Sequence, residues 1–553
     1  MHKLTHILHT FLVGFFFVLF IYAHNIYFLQ LNELVFPIAV IFLLTITGLL
    51  AVNQLYKSEV KSALFLTGFW LCFFSYGAIY SFTQSQFPSI GHNSVLLPLF
   101  CILVAAWLWV LYNTNINLKV VQLANFFALV LIVLPIYRIS TYTVKEATAN
   151  RYGESEASKL YEQANPDTTN LPDIIYLVLD GYGRADKLKE NYEFDNSGFI
   201  SSLKRQGFQV ADKSTSNYCR TAVSVASALN LNYIQSLEGY SEEQSYKALD
   251  QLSEESVLIH FLKKYGYQLY SFKTGFHVAD LYKHVKLLSK EENLFSELTH
   301  LIIDATPFRI VENNPFLSKI FNVSASFISM HSGYHLKSME NLRYRSLYPL
   351  DSIPEYINRT APSFIFADIY VGHPPFIYDS IGNFTPPTSY SIIGEGNTFM
   401  SNDKNRVQLY KKGLSAQTTF LNKRILSLIS KLRQNASRPT IIILQADHGP
   451  GAFYHQIKVE ATDIHDRFPI LSAIYMPDVY TTEIPNDITP VNTWRYILNS
   501  IFKTNLPILP NKQFYSGIYT PSKFIEVTRQ LAVTPQKTPV LPECLHSSEA
   551  HKE

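Results

Sequence analysis

The hydrophobic pattern of this chain changes character near residue 140. Before it, five long apolar runs follow one another at about 7–27, 33–53, 62–82, 95–113 and 119–138. A bilayer core about 30 Å thick needs roughly 20 apolar residues per helix, so each run predicts a membrane span. The first run is too long for a simple signal peptide and lacks its small-residue cleavage site. Beyond residue 172 the apolar runs are short: 173–180, 267–272, 363–370, 440–447 and 470–477. They show no polar alternation, which predicts strands buried on both faces. Between them lie helical patterns at 221–232, 254–265, 405–433 and 492–502. Alternating strands and helices predict an α/β domain with a mainly parallel sheet. In such sheets ligands bind beyond the carboxyl ends of the strands.

Charge sharpens this division. Only 16% of the 553 residues are charged, against about 25% in soluble proteins. Of the 90 charged residues, residues 1–140 hold seven: Lys3, Glu33, Lys57, Glu59, Lys61, Lys119 and Arg138. The remaining 413 residues are about 20% charged, close to a soluble domain. A net charge of +2 gives no field for nucleic acid. Four cysteines exclude a disulfide-rich scaffold. Lys3, the Lys57–Lys61 loop and Lys119 mark one side of the membrane; the first and third loops carry no Lys or Arg. The positive-inside rule then puts the N-terminus in the cytoplasm, and five spans deliver the rest outside. His9, His24, Asn53 and Asn125 lie in or near the spans and read as end or interface residues.

The expected organisation is a membrane domain at 1–140, a polar linker at 141–171, a catalytic domain at 172–521 and a polar tail at 522–553. Residues 280–350 are less regular and read as an insertion or a substrate-facing segment. The chemistry gathers at strand ends. IIYLVLDGYGRAD ends its strand at Asp180, and IIILQADHGPG ends its own at Asp447 and His448. SNYCRTAVSVASALN sets Cys219 and Thr221 just ahead of a helix, and ADIYVGHPPF puts His373 after another strand. Carboxylates with an imidazole are a usual ligand set for Zn²⁺ or Mn²⁺. A hydroxyl beside such an ion becomes a nucleophile near neutral pH. A helix N-terminus also attracts the oxygens of a phosphoryl group. Singly, these residues have ordinary uses as turn, N-cap and loop positions; their order along the chain favours the functional reading.

These four motifs resemble the sulfatase-like branch of the alkaline phosphatase superfamily. With the five spans, the architecture is similar to lipoteichoic acid synthase and the lipid A phosphoethanolamine transferases. The resemblance covers roughly residues 172–505. It implies an N-terminal α-helical transmembrane bundle followed by an α/β sulfatase/alkaline-phosphatase-like domain. Asp180, where those transferases often carry Glu, would be a metal ligand, and Asp447 and His448 would complete the site. Thr221 would be the metal-bound nucleophile that forms a covalent phospho-enzyme. His373 would contact the phosphate or protonate the leaving alkoxide. His455 or His465 would bind phosphate or a second metal. Arg220 would neutralise substrate charge, with a surface ion pair as the other reading. One divalent ion, Mn²⁺ or Zn²⁺, is expected.

Sulfatases convert the Cys or Ser of Cys/Ser-x-Pro-x-Arg to formylglycine. The stretch from Cys219 to Val223 lacks that Pro and Arg, so Cys219 reads as a packed residue. The implied activity is transfer of phosphoglycerol or phosphoethanolamine from a phospholipid donor to an envelope glycan or lipid. It would take place at the cell membrane, with the catalytic domain outside the cytoplasm. The alternatives are a membrane-anchored phosphodiesterase or ester hydrolase, and a non-catalytic membrane protein with a sulfatase-like module.

Overall fold

The computed structural model describes residues 2–533 except 27–28, 30, 87–92, 150, 275–280, 282, 290–295, 313–345, 358–359, 386–394, 398–403, 436 and 481. The chain forms two compact units, residues 1–148 with 291–338 and residues 149–290 with 339–553.

The first unit contains α1 (His2–His24), α2 (Val35–Tyr56), α3 (Glu59–Gln86), α4 (Asn93–Asn113) and α5 (Leu118–Ala149). All five are long and apolar enough to cross a membrane. The helix α3 packs against α1, α2 and α4. Large apolar side chains such as Leu50, Trp109 and Leu134 stay exposed, a surface suited to lipid as solvent. His9 and Asn125 are not end residues. His9 is fully buried, with Nδ1 2.6 Å from Thr67 Oγ1 and its backbone N–H donating to Asn125 Oδ1 at 2.9 Å. An intramembrane polar group needs such partners because lipid offers none. Part of the irregular 280–350 region belongs to this unit as an insertion. A helix at Glu297–Ala305 packs on α1 and α3. Gly77 makes room for it, since a Cβ there would stand 2.5 Å from Asp304 O.

The second unit starts with α6 (Arg151–Gln163), inside the expected linker. It packs on α11 (Val257–Lys264) so closely that a Cβ on Gly153 would lie 1.7 Å from Glu255 O. The unit also holds α7 (Ala185–Tyr192), α8 (Ser197–Arg205), α9 (Thr221–Leu229) and α10 (Glu242–Glu254), then α12 (Lys404–Asn435), α13 (Ile464–Arg467) and α14 (Pro490–Phe502).

Its sheet has β1 (Asp173–Asp180), β2 (Gln209–Val210), β3 (Gln268–Phe272), β4 (Lys286–Leu288), β5 (Ser363–Tyr370), β6 (Thr440–Gln445) and β7 (Ser472–Tyr475). Their order is β2-β7-β6-β1-β5-β3-β4, and the pairings are parallel except that β7 runs antiparallel to β6 and to β2. The two-residue β2 and three-residue β4 were too short to leave a hydrophobic run. Strands β8 (Phe514–Tyr515) and β9 (Ile525–Glu526) form a separate pair, so ordered chain reaches into the expected tail.

The central strands β1, β5 and β6 are buried at every position. One face, with Ile175, Leu177, Ile365 and Ile442, packs against Leu414, Leu421 and Ile425 of α12. The other, with Ile174, Tyr176, Phe364 and Ile443, packs against Val225 of α9, Phe261 of α11 and Trp494 of α14. This double burial is why the strands read as unbroken apolar runs. In register, Asp180 pairs with Tyr370 and Val178 with Gln445. The ends of β1, β5 and β6 therefore share one edge, with Asp180, Asp447 and His373 at or just beyond it.

Candidate active site

Burial forces each polar group at this edge to find a partner, and the partners fix the geometry. Asp447 Oδ1 accepts from the backbone N–H of Gly181 at 3.2 Å and of His448 at 2.9 Å. That leaves Asp447 Oδ2 facing inward. His448 Nδ1 lies 2.9 Å from the Gly449 carbonyl and donates to it, so in the neutral ring Nε2 carries the lone pair. That nitrogen is 3.2 Å from Asp447 Oδ2 and 3.6 Å from Asp180 Oδ1. Thr221 Oγ1 stands 3.2 Å from the same nitrogen. Thr221 is the first residue of α9, and Arg220 occupies the N-cap without a side-chain capping bond. The hydroxyl is thus not spent on a cap. Ser224, one turn on, bonds the Asp447 carbonyl at 2.8 Å and fastens α9 to the Asp-His-Gly turn. Small residues let α9 approach, and positions 222–229 are all buried.

The loops after β1 and β5 touch through backbone alone. A Cβ on Gly372 would meet Gly181 O at 2.0 Å, and Gly372 N–H donates to Asp180 O at 2.9 Å. Only glycine permits this approach, and it brings the backbone of His373 up to the Gly181 turn.

The donor set fits a divalent cation. Asp180, Asp447 and His448 place ligand atoms within 4.8 Å of one another, and all three are buried. Asp180 Oδ1 and Asp447 Oδ2 are buried with no hydrogen-bond donor, a costly state for carboxylate oxygens unless a cation meets them. Burial, then the Asp447, Asp368 and Glu395 charges, push the Asp180 carboxyl well above its usual range, with Arg467 opposing. Burial and the nearby Arg467 charge hold the His448 imidazole at about 4, neutral and able to ligate.

A second group among the described residues, Glu255, His260 and His284, has the same spacing but different chemistry. Both imidazole Nε2 atoms lie 2.8 Å from Glu255 Oε2. Lys263 donates to His284 Nδ1 at 3.1 Å, which leaves Nε2–H as the donor of that neutral ring. Lys283 lies 3.6 Å from Glu255 Oε1. Here hydrogen bonds satisfy the oxygen that a metal would take. The strand-end group has no such satisfaction, so it is the one suited to a metal.

The remaining expected residues scatter. His373 is buried, with Nδ1 donating to Pro374 O at 2.5 Å and Nε2 3.6 Å from Glu395 Oε2. His455 Nδ1 accepts from the N–H groups of Ile457 and Lys458 at 3.1 and 3.0 Å. Its Nε2 in the neutral ring is then a proton donor and not a lone pair for a metal. His465 is half-buried on α13, in the field of Asp463, Lys187 and Glu190, and is not brought to the carboxylates. The Arg220 guanidinium donates to Gly517 O at 3.0 Å and to the Tyr246 hydroxyl at 2.6 Å. Cys219 is fully buried among Tyr454, Phe468 and Tyr515, and burial pushes its thiol up.

Two residues of this site went unread in the sequence. Arg467 is fully buried, and donates to Glu395 through Nη1 at 2.8 Å and Nη2 at 2.5 Å. It also donates to Cys219 O at 2.8 Å and Gly449 O at 3.0 Å. Burial pushes the Glu395 carboxyl up, but Arg467, aided by His373 and His448, holds it at about 2. The Gly-Glu-Gly of residues 394–396 was the available signal.

No family model and no curated protein matches this chain. Solved structures do. The C-terminal periplasmic domain of EcEptC from Escherichia coli, in complex with Zn, is 10% identical over 66% of this chain and 94% of that chain, with a TM-score of 0.37. The integral membrane lipooligosaccharide phosphoethanolamine transferase A (EptA) from Neisseria meningitidis is 12% identical over 90% and 95%, with a TM-score of 0.39. BT1596, a 2-O GAG sulfatase, is 10% identical over 63% and 73%, with a TM-score of 0.36. A fold does not carry function by itself, and what this chain does has to be argued from its side chains.

Proposed function

We propose that this chain is a membrane-anchored, divalent-metal-dependent transferase acting through a covalent phospho-Thr221 intermediate. The carrying observation is the Thr221 hydroxyl at the first turn of α9, 3.2 Å from His448 Nε2, beside the unpartnered Asp180 and Asp447 oxygens. Asp180, Asp447 and His448 would hold one ion, Zn²⁺ or Mn²⁺. When bound, it supplies positive charge that lowers the hydroxyl pKa and offsets phosphate charge. The N-terminal N–H groups of α9 would receive the non-bridging phosphate oxygens.

Thr221 Oγ attacks the phosphorus of a phospholipid, and the bond from phosphorus to the diacylglycerol oxygen breaks. That oxygen takes a proton and leaves as diacylglycerol. An acceptor hydroxyl on an envelope glycan or lipid then attacks the same phosphorus, displaces Thr221 Oγ and loses its proton. The group moved is phosphoethanolamine or phosphoglycerol. Five apolar helices in the same chain support a lipid-borne donor, because such a donor reaches the site by way of the bilayer. Five spans from a cytoplasmic N-terminus put the catalytic unit outside the cytoplasm.

Purified metal-loaded protein given head-group-labelled phospholipid should release diacylglycerol and carry the label on Thr221. Absence of both products would refute the proposal. Adding a glycan or lipid acceptor should move the label to it; label released only as the free phosphate ester would make the protein a hydrolase.

A further inference from the structure

The buried pair of Arg467 and Glu395 lies outside the metal group, yet it touches three of the loops that build the site. Arg467 reaches the nucleophile turn through Cys219 O and the Asp-His-Gly turn through Gly449 O. Both of its terminal nitrogens hold Glu395, and its guanidinium lies 4.1 Å above the Tyr454 ring. On its other side, Glu395 Oε2 stands 3.6 Å from His373 Nε2. Backbone closes over the carboxylate, since a Cβ on Gly451 would meet Oε2 at 2.5 Å. The Glu395 carbonyl and Asn397 are bonded to Gln456, next to His455. A carboxylate used only to neutralise Arg467 would not need an imidazole on its other flank. Pro374 O fixes the proton on His373 Nδ1, so the chemistry of Nε2 falls to whatever faces it.

We infer that Glu395 is a positioning residue that holds the His373 imidazole in place so that its Nε2 proton can reach the leaving oxygen, while Arg467 locks Glu395 to the nucleophile and metal turns. This rests on the transferase reading above. In the first half-reaction Thr221 enters as its alkoxide, its proton already released to bulk water. The bond from Thr221 Oγ to phosphorus forms as the phosphorus–leaving-oxygen bond breaks. The departing electron pair stays on that oxygen, which takes the proton from His373 Nε2. His373 ends neutral and recovers a proton from water before the next turnover.

The leaving group separates this role from a structural one. An alkoxide needs the proton, whereas p-nitrophenolate leaves without it. The test follows formation of the Thr221 adduct by rapid quench, using full-length metal-loaded protein with alkyl and p-nitrophenyl esters of phosphoethanolamine. Glu395→Gln should slow the alkyl ester about 100-fold, the low end of general acid catalysis, and slow the aryl ester far less. The alkyl-to-aryl rate ratio should fall at least about tenfold, with KM nearly unchanged. Glu395→Asp retains a charge for Arg467 while withdrawing one methylene from His373; it should show the same signature even where Glu395→Gln fails to fold. His373→Gln should match it, and the double variant should lose nothing more, as expected of residues acting through one another. Equal loss on both esters, or an unchanged ratio, would overturn the inference. Wild-type protein that forms no adduct from either ester would instead overturn the transferase reading.

Discussion

The Thr221 hydroxyl lies 3.2 Å from His448 Nε2, at the one point that the Asp180 and Asp447 oxygens also face. Because Arg220 and not Thr221 is the N-cap of α9, removing this hydroxyl costs no capping bond. Thr221→Ala should therefore lower turnover by roughly 10³-fold or more. Metal content should be retained, and stability should change by less than about 1 kcal/mol. Turnover assays, metal analysis and denaturant unfolding check the three parts. Near-normal turnover would remove Thr221 from the mechanism.

The two histidine-carboxylate groups give opposite expectations for metal. Asp447→Asn leaves an oxygen to accept from Gly181 and His448 but puts a neutral amide where the charged carboxylate stood. Loss of a direct ligand should weaken metal binding by more than the roughly 10- to 100-fold seen when only a ligand's outer partner is removed. His284→Ala should leave metal stoichiometry unchanged, since its Nε2 is already bonded to Glu255. Metal analysis after dialysis reads both; the reverse pattern would exchange the assignments.

What the sequence disclosed follows from where each residue's signal comes from. Asp180 and Asp447 were legible because each ends a strand buried on both faces, and a carboxylate closing such a run is conspicuous. Thr221 was legible from the small residues behind it, which let α9 sit close to the sheet. Glu395 and Arg467 were not legible. Glu395 lies between β5 and α12, and Arg467 ends a four-residue helix, so no periodicity marks either. Their importance arises only when Cys219, Gly449 and Glu395, distant in sequence, meet one guanidinium. Likewise His9 and Asn125 read as span ends because the polar contact joining them is across helices.

Arg467 also sets a stability expectation. A guanidinium can meet both Glu395 oxygens and two carbonyls at once, as a lysine ammonium cannot. Arg467→Leu leaves the Glu395 carboxylate buried with its main counter-charge gone. The expected loss is about 3 to 5 kcal/mol, with Arg467→Lys recovering only part of it. Denaturant unfolding of the full chain in detergent measures both. A Leu variant as stable as wild type would mean that Glu395 has another strong partner.

The Glu255 cluster predicts an acid-sensitive contact in the packing of α6 and α11. Burial pushes the Glu255 carboxyl up, but the hydrogen bonds from His260 and His284, with the Lys283 charge, more than offset this and hold it at about 2. Its ordinary value is 4.5. The folded state therefore binds this proton more weakly than the unfolded chain. A group lowered in this way stabilises the fold above its unfolded value and loses that contribution as pH falls toward the folded one. At pH 7, Glu255→Gln should cost about 1.5 to 3 kcal/mol, the range for hydrogen bonds to a charged group. Between pH 4.5 and 2 the gap between wild type and variant should close, by at most about 1.4 kcal/mol per pH unit. Taking the difference between the two proteins cancels other acids that are also held low, Glu395 among them. Chelator should leave the gap unaltered, because hydrogen bonds and not a metal hold this group. A gap that widens in acid, or one that chelator abolishes, would show that the Glu255 carboxylate is not held by these donors.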